Sequence, residues 1–380
     1  MSKWQTIKNL GISKVAKIGI KEIKDNISSY TGKAGWPSTI FLSVNSVCNA
    51  RCKMCDVGQE VKSSQFYRNL RISDKSHPEL TLKRLKKLID EVAFFKPLIS
   101  VISTEPLLYK DLFKFAKYAR RKELEFNITT NGILLKKFAK DFVGNDVSYL
   151  WVSLDGPLKV HNFIRGVPQI FQMATGGIKE AQKLKKKFGK ENPKIGINYT
   201  ISNYNYDQIV PFMEAIMPLK PDTVSISHYN YVTLEMAKEH NQKFGKICRA
   251  TPSCVSAVDL EKIKPKILLK QLEAVKKKWA SKTNLGFAPD LKSEKDIYDF
   301  YNNPHVIVAQ KACRAPWRIA QILANGDFTI STRCFSMSLG NINKTSFAKA
   351  WNSPDFIRFR KIIHKEKMFI PACTRCCAVL

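Results

Sequence analysis

Three cysteines, Cys48, Cys52 and Cys55, fall in C-x3-C-x2-C spacing. Thiolates so spaced can hold three corners of a 4Fe-4S cubane, a cluster that normally takes four. One iron is then left open to a ligand the protein does not supply. The same thiols could also form part of a zinc site, which usually pairs a C-x2–4-C with a second, distant pair. A second set closes the chain: Cys313, Cys334, Cys373 and Cys376, with Cys377 as a spare or alternative. Four thiolates there fit a closed cluster or a zinc ribbon, and spacing alone does not separate the two. Cys248 and Cys254 stand six apart around Pro252, an unusual metal spacing, and read as buried thiols.

The elements around these residues must deliver them. A β-branched and aromatic run, Thr39, Ile40, Phe41, Leu42 and Val44, predicts a buried strand whose polar end carries the first three cysteines. Thr81 opens a helix with an apolar stripe of Leu82, Leu85, Leu88, Ile89, Val92 and Phe95. Strands are then predicted at 98–104, 124–130, 147–154, 194–202 and 223–227, separated by helices at 110–121, 133–143, 169–187 and 206–217. Such alternation implies parallel β/α units with right-handed crossovers. The fold class is therefore α/β, a partial (β/α)6 barrel with its site at the C-terminal ends of the strands. A small cysteine-rich α+β domain follows, with a hairpin predicted at 319–323 and 328–331 around Asn325-Gly326. The expected division is a basic N-terminal helical segment at 1–36, a core at 37–228, a helical connection at 229–304 and the C-terminal domain at 305–380.

The composition of the 380 residues is ordinarily globular, with 44% hydrophobic residues and a formal charge of +31. Such charge suits an acidic partner, but aromatics are not interleaved with the lysine runs as a nucleic-acid platform requires, so solvated helix faces are the simpler reading. The basic 1–36 segment has near-helical apolar spacing, compatible with packing on the core or with peripheral membrane contact. No apolar run reaches the roughly 18 residues of a membrane span, and no signal peptide is evident, so the expected compartment is the cytoplasm, where cysteines serve as metal ligands more often than as disulfides.

The strand ends carry a series of short motifs. They are Ser103-Thr104-Glu105-Pro106, Thr129-Thr130-Asn131-Gly132, Ser153-Leu154-Asp155-Gly156 with His161 and Ile164-Arg165-Gly166, and Thr200-Ile201-Ser202-Asn203. In this order, behind C-x3-C-x2-C, they resemble the radical S-adenosylmethionine superfamily. The first is similar to a Gly-Gly-Glu-Pro segment, with both glycines replaced. The C-terminal cysteines resemble the twitch domain, the short relative of the SPASM domain.

The resemblance implies a 4Fe-4S cluster on Cys48, Cys52 and Cys55 that chelates S-adenosylmethionine. It implies cosubstrate contacts from Met54, Thr104, Glu105, Thr130, Asn131, Ser153, Asp155, Arg165, Ile201 and Asn203. It also implies a second, auxiliary 4Fe-4S cluster on Cys313, Cys334, Cys373 and Cys376, serving as electron acceptor. Reductive cleavage would give a 5′-deoxyadenosyl radical that abstracts hydrogen from a substrate, with Asp155, His161 and His228 as candidate proton-handling groups. The expected partners are a low-potential donor of flavodoxin or ferredoxin type and either a small metabolite, such as a sugar, lipid or cofactor precursor, or a peptide. The alternative functions are a peptide maturase forming thioether or carbon–carbon crosslinks and, more remotely, a zinc-containing nucleic-acid-binding protein.

Overall fold

The fold is described by a computed structural model over residues 30–70, 78–308, 312–330, 332–333, 335–367 and 369–376. Most of the predicted N-terminal segment, and both Cys334 and Cys377, lie outside these described residues.

Among the described residues one sheet runs through the molecule. Its strands are β1 (Thr39–Leu42), β2 (Leu98–Val101), β3 (Phe126–Thr130), β4 (Tyr149–Ser153), β5 (Lys194–Thr200), β6 (Thr223–Ser227), β7 (Asn284–Ala288), β8 (Ile319–Ile322) and β9 (Phe328–Thr329). They lie in the order β7-β6-β5-β4-β3-β2-β1-β8-β9. All neighbours are parallel except β8 and β9. Side chains such as Ile40, Leu42, Ile99, Val101, Phe126 and Ile128 are fully buried and, being alternate residues in register, lie on one face of the sheet. Register pairs Leu42 with Val101, Thr130 with Val152, Ser153 with Asn198 and Thr200 with Ser227. The core strands therefore end along one edge, and the loops bearing the motifs emerge there together.

The crossovers are α1 (Leu82–Val92), α2 (Leu112–Arg121), α3 (Leu135–Gly144), α4 (Leu158–Arg165), α5 (Ile170–Phe188) and α6 (Ile209–Ile216). Thr81 caps α1, its hydroxyl accepting the Arg84 N–H at 3.2 Å. The stripe of α1 buries Leu85, Leu88, Ile89 and Val92, while Leu82 and Phe95 at its ends are only half-buried. Each fully buried leucine contributes about 1.5–3 kcal/mol by leaving water.

Two parts of the sheet exceed the six-stranded expectation. The region 229–304 holds α7 (Leu234–Phe244), α8 (Pro265–Trp279) and α9 (Glu294–Asn302), and also supplies β7, a seventh parallel strand paired with β6. Asn284-Leu285-Gly286-Phe287-Ala288 has little intrinsic strand preference, so its pairing is set by the exposed edge of β6. The predicted hairpin forms as β8 and β9 and extends the sheet beyond β1. Gly326, at φ +86, makes its tight turn.

The C-terminal helix α10 (Pro354–Lys365) locks this extension in place. Arg360 is fully buried and donates to the carbonyls of Pro316, Gly32 and Trp351 and to Asn352 Oδ1. Asn352 in turn exchanges two 3.0 Å hydrogen bonds with the Ala34 backbone.

Candidate functional site

The loop after β1 brings the first three cysteines into one buried turn. All are free thiols; Cys52 is buried, Cys48 and Cys55 half-buried. Two backbone bonds fasten the loop to the end of α4, Arg51 N–H to Arg165 O at 3.1 Å and Lys53 N–H to Ile164 O at 2.7 Å. Gly58 packs so tightly on it that a Cβ there would stand 2.5 Å from Cys52 N. On the outer side, Tyr229 Oη donates to Met54 O at 2.5 Å. Asp56, next to Cys55, accepts the Cys254 N–H at 3.0 Å from each oxygen and the Ser253 hydroxyl at 3.0 Å.

Burial pushes all three thiols above their usual range. Donors aimed at the sulfurs oppose it: the Ala50 N–H at Cys48, the Val57 and Gly58 N–H groups at Cys55, and the Arg165 guanidinium at Cys52. Metal binding displaces thiol protons, and hydrogen bonds to sulfur tune iron–sulfur potentials. Three buried sulfurs with N–H donors pointing at them therefore fit an iron–sulfur cluster held at three corners.

Glu105 stands beside this turn, after β2. Its carboxylate is buried and accepts from Thr130 Oγ1 at 2.7 Å, Asn131 N–H at 2.8 Å and Leu107 N–H at 3.0 Å. Burial pushes the carboxyl up and these donors pull it back. Asn45 Nδ2 donates to Glu105 O, Thr104 Oγ1 donates to Asn45 O at 2.9 Å, and Asn131 Nδ2 donates to Asn49 Oδ1 at 2.8 Å. Strand ends two and three are thus tied to the cysteine loop. Ser103, where the resembled segment has glycine, keeps a φ of +94. The backbone there retains the conformation that glycine favours, now with a side chain.

After β4, Asp155 is fully buried and its Oδ2 takes both Arg165 Nε at 2.6 Å and Nη2 at 2.5 Å. Oδ1 accepts the Thr200 N–H at 3.0 Å. Arg165 Nη1 lies 3.7 Å from Cys52 Sγ. Asn205 spans the next two strand ends, donating to Asp155 O and Thr200 O at 2.9 Å while accepting the Ser202 N–H at 2.7 Å. Ile201 is fully buried. Asn203 keeps a buried Oδ1 without a partner among the described residues. Ser153, the last residue of β4, is half-buried.

His161 is fully buried and its Nδ1 accepts the Asp155 N–H at 3.0 Å. Burial holds it well below the usual histidine range. His228 bonds Tyr301 Oη through Nδ1 at 2.8 Å, and burial lowers it to about 3.

Asn45, Asn49, Asn205, Asp56 and Tyr229 were not singled out in the sequence. Asn45 and Asn49 lie on either side of Cys48 and could have been suspected as turn formers. The others meet the loop only through tertiary contact.

At the far side of β1, Cys313, Cys373 and Cys376 line one cavity of about 430 Å³. Its wall also includes Phe41 of β1 and Ile102 and Ser103, which directly follow β2, so the two cysteine sets lie at neighbouring regions of the same sheet edge. Arg375, within the C-x2-C, is buried and donates to the carbonyls of Phe300, Val306, Asp299 and Asn303, fixing that turn against α9.

Residues 42–216 match the family model of the radical SAM superfamily, and residues 313–377 that of SPASM, an iron–sulfur cluster-binding domain. Fe-coproporphyrin III synthase of Methanosarcina barkeri is 30% identical over 186 residues, 48% of this chain but only 42% of that protein. The chain thus aligns with less than half of that relative's length. The tungsten-containing aldehyde ferredoxin oxidoreductase cofactor-modifying protein of Pyrococcus furiosus is 21% identical over 342 residues, 89% of this chain and 86% of that one. In fold, the chain resembles Streptococcus suis SuiB bound to S-adenosylmethionine, with a TM-score of 0.58 at 15% identity, covering 92% of this chain and 74% of the other. Among the described residues no helix is long and apolar enough to cross a membrane.

Proposed function

Because this chain carries a radical SAM superfamily domain followed by a SPASM iron–sulfur domain, we propose that it cleaves S-adenosylmethionine reductively and uses the radical to modify a small metabolite or cofactor precursor. The observation that carries this reading is the convergence of three buried thiols with Glu105, Asn131 and the Asp155–Arg165 pair at one edge of the sheet. Bound there, the cluster and cosubstrate supply a 5′-deoxyadenosyl radical able to take hydrogen from a substrate carbon.

The chain's own residues bind and orient. Cys48, Cys52 and Cys55 hold the first cluster, and Cys313, Cys373, Cys376 and Cys334 the second. Glu105 and Asn131, bonded to each other and to the cysteine loop, would shape the place for the methionine end of the cosubstrate, and the unpartnered Asn203 Oδ1 would be an acceptor for its nucleoside end. Arg165, anchored by Asp155, lends positive charge to Cys52. Asp155, His161 and His228 are positioning groups in this reading, because each is buried with its basic atom already accepting or sharing a proton. A small-molecule substrate is supported by relatives named for coproporphyrin synthesis and cofactor modification.

The test is anaerobic reconstitution followed by S-adenosylmethionine and dithionite, with 5′-deoxyadenosine measured by liquid chromatography. About eight irons per chain and formation of 5′-deoxyadenosine are expected. Fully loaded protein that forms none would overturn the reading.

A further inference from the structure

Asp56 directly follows the third cysteine of the first set, and it is buried, with 1% exposure. Its carboxylate accepts the Cys254 N–H at 3.0 Å from each oxygen and the Ser253 hydroxyl at 3.0 Å on Oδ2. Both oxygens are acceptors, as in an ionised carboxylate. Among the described residues no lysine, arginine or histidine forms an ion pair with it. The Arg333 guanidinium stacks 4.3 Å over the Phe66 ring and puts Nη1 3.0 Å from the Cys254 sulfur instead. Buried charges are ordinarily paired or bound to a metal, because taking an ion out of water is expensive. Asp56 is held by neutral donors alone. Those donors come from a turn of the connecting region in which Cys254 takes a φ of +59, a conformation rarely adopted by an L residue.

We propose that Asp56 is a positioned charge that lowers the reduction potential of the cluster on Cys48, Cys52 and Cys55. The inference rests on the function proposed above, which puts that cluster there. Iron–sulfur potentials follow the charge, hydrogen bonding and burial around the cluster. An electron entering beside Cys55 meets the fixed negative charge, so the reduced state is disfavoured and, once formed, is the stronger donor to the sulfonium. Two bonds to one N–H and a third to a hydroxyl keep the carboxylate from turning away. Arg165, 3.7 Å from Cys52 Sγ, acts in the opposite sense at another corner.

The test is an EPR-monitored redox titration of anaerobically reconstituted protein. A chain carrying Cys48→Ser, Cys52→Ser and Cys55→Ser supplies the second cluster's signal for subtraction. Asp56→Asn keeps the shape, its oxygen accepting the Cys254 N–H and its amide donating to the Ser253 hydroxyl. At a fixed solution potential Asn is expected to raise the ratio of reduced to oxidised first cluster about tenfold, about 59 mV for one electron. That is the effect of a unit charge at about 10 Å with an effective dielectric of about 20. Asp56→Ser, a second neutral variant, is expected to move the ratio the same way. Ser253→Ala removes one hydrogen bond but keeps the charge, and is expected to leave the ratio nearly unchanged. An unmoved or lowered ratio in the neutral variants, an equal rise in Ser253→Ala, or failure of both neutral variants to assemble the first cluster would overturn the proposal. Unaltered protein that holds no first cluster, or forms no 5′-deoxyadenosine, refutes instead the function on which the proposal rests.

Discussion

Arg165 closes on Asp155 with two nitrogens, Nε at 2.6 Å and Nη2 at 2.5 Å, both on Oδ2, and holds Nη1 3.7 Å from Cys52 Sγ. Burial opposes the Arg165 charge, but Asp155 and Cys52 outweigh it and hold the guanidinium above its usual range. One ion pair thus ties the end of β4, the end of α4 and the cysteine loop together.

Removing one charge of that pair should be costly. Asp155→Asn can keep its oxygen on the Thr200 N–H only by turning its amide donor toward Arg165. A buried charge left without its partner costs about 3–5 kcal/mol. Denaturant unfolding of the variant should show a loss of that order, and a loss below about 1 kcal/mol would mean that the pair does not hold the loop.

Ser103 carries a conformational cost that glycine would not. Its φ of +94 lies in the region where a Cβ is crowded, a penalty of about 1–2 kcal/mol for an L residue. Part of it returns as unfolded-state entropy when glycine is introduced. Ser103→Gly should therefore stabilise the protein by about 0.5–1 kcal/mol in denaturant melts, whereas Ser103→Val should destabilise it. Stabilisation by valine would refute the strain.

Much of this arrangement was legible because it depends on local pattern. The apolar stripe of α1, the cysteine spacing and the turn residues at Glu105, Asn131 and Asp155 are all visible in short windows, and the structure brings them to one edge. What could not be read depends on tertiary partners. β7 is strand because β6 offers it an edge. Arg360 and Arg375 look like surface arginines in sequence, yet both are buried on backbone carbonyls. Arg333 gains its position from Phe66 and Cys254, both distant in the chain.

Buried histidines give stability a defined slope in acid. His228, lowered by burial to about 3 from 6.5, stays neutral in the fold while the unfolded chain takes up a proton. Between those two values the unfolded state binds more protons, so stability rises with pH and is lost as pH falls from about 6.5 toward 3. One group contributes at most about 1.4 kcal/mol per pH unit. His228→Gln should reduce the slope of unfolding free energy against pH over that window by about this amount. An unchanged slope would show that His228 is not kept neutral in the fold.

Gly58 gives the sharpest test of the cysteine turn, because it contributes no chemistry of its own. A Cβ there would stand 2.5 Å from Cys52 N and 2.7 Å from Cys52 O, closer than nonbonded atoms come. Both are backbone atoms, so rotating a side chain cannot relieve the clash. Gly58→Ala must therefore move the Cys52 backbone or the Val57 and Gly58 N–H groups that face Cys55. Cys313, Cys373 and Cys376 are remote in sequence and sit on the cavity beside β8, so the same change leaves their geometry alone. Reconstituted Gly58→Ala should retain about four irons where the unaltered protein holds about eight, and lose 5′-deoxyadenosine formation with them. Full iron loading and unaltered cleavage in Gly58→Ala would show that the close packing of Gly58 on Cys52 does not govern the first cluster.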